Sequence, residues 1–389
     1  MKAISFVIFF AVFFTVYGII NFYIFIRGWQ AIPQGSQLRT LYLVVFLTLS
    51  LAFIAGRFLE RAWPSPATES LVWIGSFWFA AMLYFFLAVV VLDLLRVVNA
   101  AVSIYPSWVI ANYDVAKVWI MAGTIVLVSI ILAAGHLNAS FPRIRELKIP
   151  IPKTVEGTTS FTVVSASDIH LGTIIGRERL DAIVEKINAL NPDLVLFPGD
   201  IVDEDLGPVI RGNLGEALRS IRAKFGVLAI TGNHEFIGGV EQACAYLSEH
   251  GITMLRDSVV RVGPGITVVG REDRSIGQFK GKRRKPLEEI MVNADRKSPV
   301  ILMDHQPFGL DDAVRNGVDL QISGHTHHGQ LWPLNYITEA IYELSWGYIR
   351  KATTHLYVSS GVGTWGPPVR TGNTPEIVRF TLEFMGGDN

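Results

Sequence analysis

Three of the chain's nine histidines lie within four consecutive positions near its C-terminus. The segment from Ser323 to Pro333 reads SGHTHHGQLWP and contains His325, His327 and His328. Neutral imidazole is the commonest protein ligand for transition metals, so this density of histidine indicates a metal site. Because such sites are completed by side chains from distant parts of a chain, the remaining ligands must come from elsewhere in the sequence.

Further potential ligands follow short apolar runs upstream. Runs rich in β-branched residues, such as FTVVS and DLVLF, predict strands. Five such runs are each followed within a few residues by side chains that can bind metal: Asp168, His170, Asp200, Asn233, His305, His325 and His327. In α/β sheets, ligands collect beyond the carboxyl ends of the strands. We therefore expect these side chains to line one crevice.

The segments between the runs have helical periodicity. Apolar residues recur on one helix face from about Glu178 to Leu190, and a second helical pattern lies near Asn213 to Lys224. Alternating strands and helices predict an α/β domain of layered sheets with flanking helices. The segment from Glu376 to Phe384 alternates with period two, which predicts a late, half-exposed strand.

The donor types restrict the choice of ion. Imidazole, carboxylate and amide donors without sulfur suit Mn, Fe or Zn, and Cys244, as the only cysteine, provides no thiolate cluster. These ligands are too many for one four-coordinate ion. A carboxylate such as Asp200 could instead bridge two divalent ions roughly 3.5–4 Å apart, as in two-metal phosphatases and nucleases. A lone histidine or GD pair is more often structural, but the combination predicts a dinuclear site.

The same residues form an ordered pattern. It consists of DIH at 168–170, GD at 199–200, GNHE at 232–235, His305 in DHQP, and GHTH at 324–327. In these five motifs the sequence resembles the calcineurin-like metallophosphoesterases, over about Thr158 to Phe384. The segment YVSSGVGTWGPPVRTG, from Tyr357 to Gly372, is similar to the membrane-attached or secreted branch of that family. The resemblance implies a metallophosphoesterase domain at 158–389 that hydrolyses a phosphoester or pyrophosphate bond.

The resemblance also implies a role for each matched residue. One metal ion would be bound by Asp168, His170 and His327, the other by Asn233, His305 and His325, and Asp200 would bridge them. His234 would act as the catalytic histidine near the leaving group rather than as a ligand. Asp203 would support His234, although a helix-capping carboxylate is the ordinary alternative.

Two residues depart from the family pattern, and one extends it. Glu204 stands where phosphoprotein phosphatases have Arg, which disfavours a phosphoprotein substrate. His328 replaces an expected Gly, and we expect it to support the site or contact substrate rather than bind metal. Arg370, in PPVRTG, is a candidate phosphate clamp because its planar guanidinium matches phosphate geometry. For His328 and Arg370, a packing or surface role is the alternative.

The first third of the chain has a different character. Four stretches contain no charged residue, and each is about long enough to cross roughly 30 Å of hydrocarbon as a helix: residues 4–26, 40–56, 70–92 and 118–135. They predict a four-helix transmembrane region over residues 1–135, with a linker at 136–157. The first stretch is too long for a signal peptide and lacks a small-residue cleavage site. Val97 to Tyr113 contains Pro106 and polar residues, so we expect an interfacial loop there.

Charged residues bear on orientation and partners. Seven Lys or Arg residues flank the spans on the side of the C-terminal domain, against four on the other side, which favours a cytoplasmic catalytic domain in the cell or inner membrane. The zero net charge provides no general attraction to nucleic acid. The segment 271–285 contains seven cationic residues. A solvated loop would account for it, but proximity to a bilayer favours attraction to anionic headgroups or a phosphorylated substrate.

A membrane anchor and a dinuclear site together predict a phosphoesterase that acts at the membrane surface. We expect membrane lipids as partners and a phosphorylated small molecule or lipid-linked compound as substrate. The resemblance suggests a phospholipid or a lipid-linked nucleotide, such as the UDP-diacylglucosamine cleaved by some family members. A phosphodiesterase for a soluble substrate is one alternative. A non-catalytic membrane scaffold with a structural metal site is another, although such a site has no need of His234.

Overall fold

A computed structural model describes residues 2–385, and the chain divides into two compact units, Met1–Gly135 and His136–Asn389. The first unit is helical. The described helices are α1 (Lys2–Ala31), α2 (Leu38–Ala62), α3 (Pro66–Val102), the short α4 (Ser107–Ala111) and α5 (Tyr113–Ser140), whose last turns belong to the second unit. Within residues 2–385, four helices are long and apolar enough to cross a membrane: Phe10–Ala31 of α1, together with α2, α3 and α5. The predicted four-helix transmembrane region is confirmed.

The helices extend beyond the charge-free stretches from which they were predicted. The interfacial loop expected over Val97 to Tyr113 is shorter than predicted, because α3 continues to Val102 before Ser103 adopts a left-handed cap. Only the single helix α4 and the residues around it separate α3 from α5. An apolar helix can extend through Asp93 and Arg96 because these two side chains pair with each other, with 2.8 Å between Oδ1 and Nη1.

The second unit contains two six-stranded sheets. The first has the order β1-β12-β2-β3-β4-β5, in which only the β12–β2 pair is antiparallel. Its strands are β1 (Arg143–Ile151), β2 (Ser160–Ser165), β3 (Leu194–Pro198), β4 (Val227–Ile230), β5 (Ile252–Met254) and β12 (Glu376–Phe384). The second has the order β10-β11-β9-β8-β7-β6 and is antiparallel at both edges. Its strands are β6 (Ser258–Val262), β7 (Ile266–Gly270), β8 (Val300–Met303), β9 (Leu320–Ser323), β10 (Gly347–Lys351) and β11 (Thr354–Val358).

The two sheets share one apolar core, in which Phe161, Leu196 and Phe380 of the first sheet belong to the same buried cluster as Ile301 and Ile322 of the second. The described helices of this unit are α6 (Arg177–Ala189), α7 (Leu206–Arg211), α8 (Leu214–Arg219), α9 (Asn233–Gly238), α10 (Val240–Glu249), α11 (Ile276–Lys280), α12 (Leu287–Met291), α13 (Asp311–Arg315) and α14 (Asn335–Ile341). Buried helical residues such as Leu287 and Ala313 pack with Leu302 in a separate cluster. The predicted layered α/β architecture is confirmed.

Local predictions had different outcomes. The helix predicted over Glu178 to Leu190 is α6, and the late strand is β12. The helix predicted near Asn213 to Lys224 ends at Arg219, because the Asn188 side chain bonds the Ser220 carbonyl and the Arg222 N–H. The linker predicted at 136–157 is wrong in part, since it contains β1, which pairs along its whole length with β12. Pro150 is tolerated in β1 because this strand forms the sheet edge.

The topology brings the predicted ligand loops together. Strands β2, β3 and β4 are mutually parallel, and so are β8 and β9. The loops that follow them therefore leave at the carboxyl ends of their sheets, where ligand sites form in α/β folds. Nδ1 of His305 lies 2.8 Å from the carbonyl oxygen of Pro198, so the loops of the two sheets meet.

Candidate metal centre

The first group of potential ligands comprises Asp168, His170 and His327, and their donor atoms lie within 4.8 Å of one another. The Nε2 atoms of His170 and His327 are 2.9 Å apart, and Asp168 Oδ1 is 3.6 Å from His327 Nε2. Asp200 Oδ2 approaches His170 Nε2 at 3.9 Å. All four side chains are buried. Two imidazole nitrogens and carboxylate oxygens thus converge on one point.

The second group lies on the other side of Asp200. It comprises Asp200, His305 and His325, again within 4.8 Å. Asp200 Oδ2 is 3.1 Å from His305 Nε2, and the Oδ1 atom of Asn233 is 3.2 Å from the same nitrogen and 2.8 Å from His325 Nδ1. Oδ2 of Asp200 therefore faces both groups, as a bridging carboxylate must. The structure brings all seven predicted ligands into two adjacent groups.

The protonation states of these histidines differ. The Pro198 carbonyl accepts the Nδ1–H of His305, so its Nε2 faces Asp200 and Asn233. Burial opposes the charged form of His305, but the Asp200 carboxylate raises its pKa well above the usual value, so Nε2 would have to lose a proton in order to bind a metal ion. Burial lowers the pKa of His325 to about 4, and burial together with His170 lowers the pKa of His327 well below its usual value. Both rings are therefore neutral near pH 7. Neutral imidazoles with carboxylate oxygens, in two adjoining sets, suit a pair of divalent transition ions.

His234 lies beside these groups, and its partner is Asp203. Asp203 Oδ1 is 3.0 Å from His234 Nδ1 and 3.6 Å from His170 Nδ1. Burial alone would lower the pKa of His234, but the Asp200 and Asp203 carboxylates outweigh it and raise the pKa to about 9. The His170 and His234 rings meet edge to face, with centroids 4.6 Å apart. One carboxylate thus lies beside a candidate ligand ring and beside a ring that is available for proton transfer.

The backbone of the site is strained. Non-glycine residues rarely adopt positive φ, and each such residue costs on the order of 1–3 kcal/mol. Six residues of the site have φ between +43° and +73°: Asp168, His170, Asp200, His325, His327 and His328. Close packing adds a second constraint, because a Cβ at Gly232 would collide with the Asp200 side chain. Strain concentrated in these loops indicates that the positions of the donor atoms are functional.

Glu235, which sequence reasoning left without a role, fixes the strained β3 loop to the neighbouring β4 loop. Its buried carboxylate accepts four backbone N–H groups, from Asp200, Ile201, Val202 and Gly232, at 2.7–3.2 Å. The acidic residue after GNH was a visible signal. Its function could be recognised only once the β3 and β4 loops were known to be neighbours.

Arg370, the expected phosphate clamp, is completely buried. Its guanidinium donates to the carbonyl oxygens of Gly363 and Ser360 and to the Asn373 side chain, and Nη2 lies 3.2 Å from His327 Nδ1. Burial lowers its pKa to about 9. These contacts place Arg370 behind His327, so the geometry favours a role in orienting this ligand.

His328 lies outside both ligand groups. Its Nδ1 is 3.1 Å from Ser345 Oγ, its Nε2 is 3.5 Å from Glu339, and its ring packs against Trp346 with centroids 5.3 Å apart. The imidazole thus connects the ligand loop to α14 and to the residues that follow it. Its two nitrogens face Ser345 and Glu339 rather than the ligand groups.

The basic segment 271–285 separates into two parts. Arg271 and Arg284 are largely buried, and both donate to Asp304, the residue before His305. The other five cationic residues are exposed: Arg274, Lys280, Lys282, Arg283 and Lys285. The two arginines therefore fix the β8 loop, and only the exposed residues remain available for the predicted attraction to anions.

Comparisons with known proteins agree with this geometry. A family model described as calcineurin-like phosphoesterase matches residues 161–329, which contain all seven candidate ligands, His234 and Asp203. An uncharacterised metallophosphoesterase of Aquifex aeolicus is 32% identical over 263 residues, covering 67% of this chain and 99% of that protein.

Two further relatives extend the comparison. An uncharacterised metallophosphoesterase of Campylobacter jejuni is 26% identical over 97% of this chain and 99% of its own length. A Danio rerio protein named transmembrane protein with metallophosphoesterase domain is 30% identical, covering 67% of this chain and 62% of that protein. Similarity thus extends to a relative that is named as a transmembrane protein.

Proposed function

Because the chain belongs to the calcineurin-like phosphoesterase family, we propose that it is a membrane-anchored dinuclear phosphoesterase. Its substrate would be a phosphoester or pyrophosphate linked to a lipid or held at the membrane surface. The observation on which this depends is the pair of ligand groups that face Asp200 from two sides, next to the His234–Asp203 pair.

One ion would be held by Asp168, His170 and His327 and the other by Asn233, His305 and His325, with Asp200 shared. The donor set suits Mn, Fe or Zn. When bound, two divalent ions would acidify a water molecule and stabilise negative charge on the phosphoryl oxygens. The protein keeps the donors in place through Glu235, Arg370 and the Pro198 carbonyl, so little reorganisation is needed when substrate binds.

His234 would supply the proton for the departing oxygen. Asp203 is close to Nδ1 of this ring, so it favours the imidazolium and leaves Nε2–H as the group that can be donated. The proton would move from Nε2 to the leaving-group oxygen as the phosphorus–oxygen bond breaks. Asp203 would then stabilise the ring until it is reprotonated.

An exposed apolar surface beside the site supports a lipid-linked substrate. Trp365 is 54% exposed, and its ring is 6.1 Å from that of His234 between centroids. Its backbone is fixed by Gln330, in the ligand loop that leads to Trp332. Tyr336, Ile337 and Ile341 of α14 are also more than half exposed. We name Trp332, Tyr336, Ile337, Ile341 and Trp365 the apolar rim. Aromatic and aliphatic groups at the mouth of a polar site suit a substrate that is anionic at one end and apolar at the other.

The first test is hydrolysis of bis(p-nitrophenyl) phosphate by the full-length protein in detergent with Mn²⁺. We expect turnover by the wild type, and a loss of at least about a hundredfold in Asp200→Asn and in His234→Ala. Asp181→Asn is the matched control, because this carboxylate forms an exposed pair with Arg177 on α6. Full biological activity of a His234→Ala variant would instead support the scaffold hypothesis.

The substrate class needs a second comparison. A diacylated nucleoside diphosphate lipid and its deacylated headgroup should be offered to wild type, Trp365→Ala and Val292→Ser, the last altering an exposed apolar residue outside the apolar rim. We expect Trp365→Ala to raise KM for the acylated compound only. Equal efficiency with the headgroup alone, unchanged by the variant, would establish the soluble-substrate phosphodiesterase.

A cytoplasmic location of the domain is part of the proposal and can be tested by protease access in sealed inverted vesicles.

A further inference from the structure

The membrane unit contains a cavity of about 930 Å³ lined by α1, α2, α3 and α5 and by the loops that join them. We propose that this cavity is a binding site for one anionic phospholipid. It involves none of the residues assigned to hydrolysis, so the proposal goes beyond the phosphoesterase function. The volume is near the upper end of the roughly 300–1,000 Å³ that is usual for ligand sites.

One end of the cavity has an excess of positive charge. Its lining contains four cationic side chains, Arg27, Arg39, Arg96 and Lys117, and one anionic side chain, Asp93. Lys117 is paired with Asp114, with 2.8 Å between Nζ and Oδ1, so the three arginines and Asp93 leave an excess of two positive charges. Cationic pockets between transmembrane helices recognise anionic headgroups, because the low dielectric of the surroundings strengthens the attraction.

Asp93 does not neutralise the cationic end of the cavity, because its single carboxylate is shared between two arginines. Its two oxygens are 2.6 Å from Arg27 Nη2 and 2.8 Å from Arg96 Nη1, and Oδ2 also accepts the Tyr23 hydroxyl. Within residues 2–385, the buried Nε of Arg27 has no hydrogen-bond partner. Asp93 therefore holds two guanidinium groups near each other while leaving donor capacity that a phosphate oxygen could fill.

Arg39 is positioned from another helix. Its Nε and Nη2 both donate to the Ile32 carbonyl, and its guanidinium lies 5.0 Å from the Trp29 ring. These contacts fix the side chain without neutralising it. A charge that is oriented by a carbonyl and an aromatic ring, rather than by a carboxylate, remains available to an anion.

The rest of the cavity is apolar and extends along the helices. From Arg39 the lining of α2 continues to Leu49, from Lys117 the lining of α5 continues to Ile125, and from Arg96 the lining of α3 continues back to Trp78. At 1.5 Å per residue these paths span about 15, 12 and 27 Å, where half the hydrocarbon thickness is about 15 Å. The cavity therefore combines a cationic end at interfacial depth with an apolar passage about one leaflet deep along α2 and α5 and deeper along α3. A phospholipid has these dimensions and polarity, whereas a free phosphate would leave the apolar part unfilled.

The test uses full-length protein in mild detergent and native mass spectrometry. Dioleoyl phosphatidylglycerol and dioleoyl phosphatidylcholine are added in equal amounts, because they share acyl chains and a phosphodiester and differ in net charge. We expect at least a tenfold preference for phosphatidylglycerol at one site per chain, reduced to about twofold or less in the Arg39→Gln/Arg96→Gln variant. Arg61→Gln, near the other end of α2, should retain the preference. A single Arg39→Lys variant, in which Arg96 is unchanged, should keep more of the preference than the double variant does.

Three further results would decide the proposal. Leu49→Trp, which fills the apolar passage without changing charge, should weaken lipid retention, and circular dichroism would verify that these variants keep wild-type helicity. Excess glycerol phosphate should not displace the lipid; displacement at equal concentration would show a site for the headgroup alone and overturn the proposal. Equal binding of both lipids, or an unchanged preference in the double variant, would also overturn it. None of these outcomes depends on phosphoesterase turnover, so this proposal and the proposed function can fail separately.

Discussion

Substitution of Glu235 by Gln tests whether the strained β3 loop of the candidate metal centre depends on one buried carboxylate. Glu235 is completely buried, and each of its oxygens accepts two backbone N–H groups. Oε1 serves Ile201 and Val202 at 2.8 and 2.9 Å, and Oε2 serves Gly232 and Asp200 at 2.7 and 3.2 Å. Gln has the same shape but presents an NH₂ group in place of one oxygen.

The magnitude follows from the donors that this change leaves unpaired. The remaining amide oxygen can keep two N–H groups, and the NH₂ group faces two others. A buried donor without a partner costs about 1–3 kcal/mol, so the loss is roughly 2–6 kcal/mol. Burial and the neighbouring Asp200 carboxylate raise the pKa of Glu235, so removing its charge offsets part of that loss. We expect a net destabilisation of about 2–4 kcal/mol.

Thermal unfolding in detergent provides the assay. For a unit of this size, 1 kcal/mol corresponds to about 2–4 °C, so Tm should fall by roughly 4–16 °C. Glu241→Gln is the control, because that carboxylate is 60% exposed and its pair with Arg256 contributes about 0–1 kcal/mol. Turnover should fall with Tm, since the loop of Asp200 loses its anchor. A Glu235→Gln protein that melts within about 2 °C of wild type, as the control should, would refute this reasoning.

Three other predictions concern single side chains. Arg370→Lys keeps a charge but loses the planar fork behind His327, so metal affinity should fall about 10–100-fold in chelator competition; unchanged affinity would refute the positioning role. Burial raises the pKa of Cys244 to about 12, so roughly one thiol in ten thousand is ionised at pH 8, and maleimide labelling should be slow until the protein is unfolded. His328→Gly should leave the metal content measured by elemental analysis unchanged, because its nitrogens face Ser345 and Glu339; loss of one ion per chain would identify a ligand.

The convergence of the candidate ligands could be predicted because parallel strands place their carboxyl-terminal loops at one edge, whatever the details of packing. An apolar run followed by Asp, Asn or His is a local pattern, and five such patterns in one chain identify a set of candidate metal ligands. The four spans were equally visible, since a charge-free apolar run of that length is typical of a membrane-spanning helix. In both cases the determining signal lies within a short stretch of sequence.

The features that the sequence did not reveal depend on contacts between distant segments. β1 lies in a proline-containing stretch that resembles a linker, and it is a strand because β12, more than 200 residues later, offers it an edge. Arg370 has the chemistry of a phosphate clamp, but its environment is set by Gly363, Asn373 and His327. Side-chain type indicates what a residue can bind, whereas burial decides what it does bind.

The strain in the ligand loops and the buried charges around them depend on each other. Left-handed conformations at Asp168, His170 and Asp200 would relax if the loops were free. Glu235 secures the Asp200 loop through backbone N–H groups, and Arg370 fixes the chain behind His327 through carbonyl groups. Both are charged residues held at zero exposure, which is costly unless their hydrogen bonds are all made. Backbone strain and charge burial are both unfavourable. The hydrogen bonds of Glu235 and Arg370 hold the strained loops in place, and the backbone groups of those loops in turn satisfy the two buried charges. This mutual dependence holds the candidate donor atoms in position.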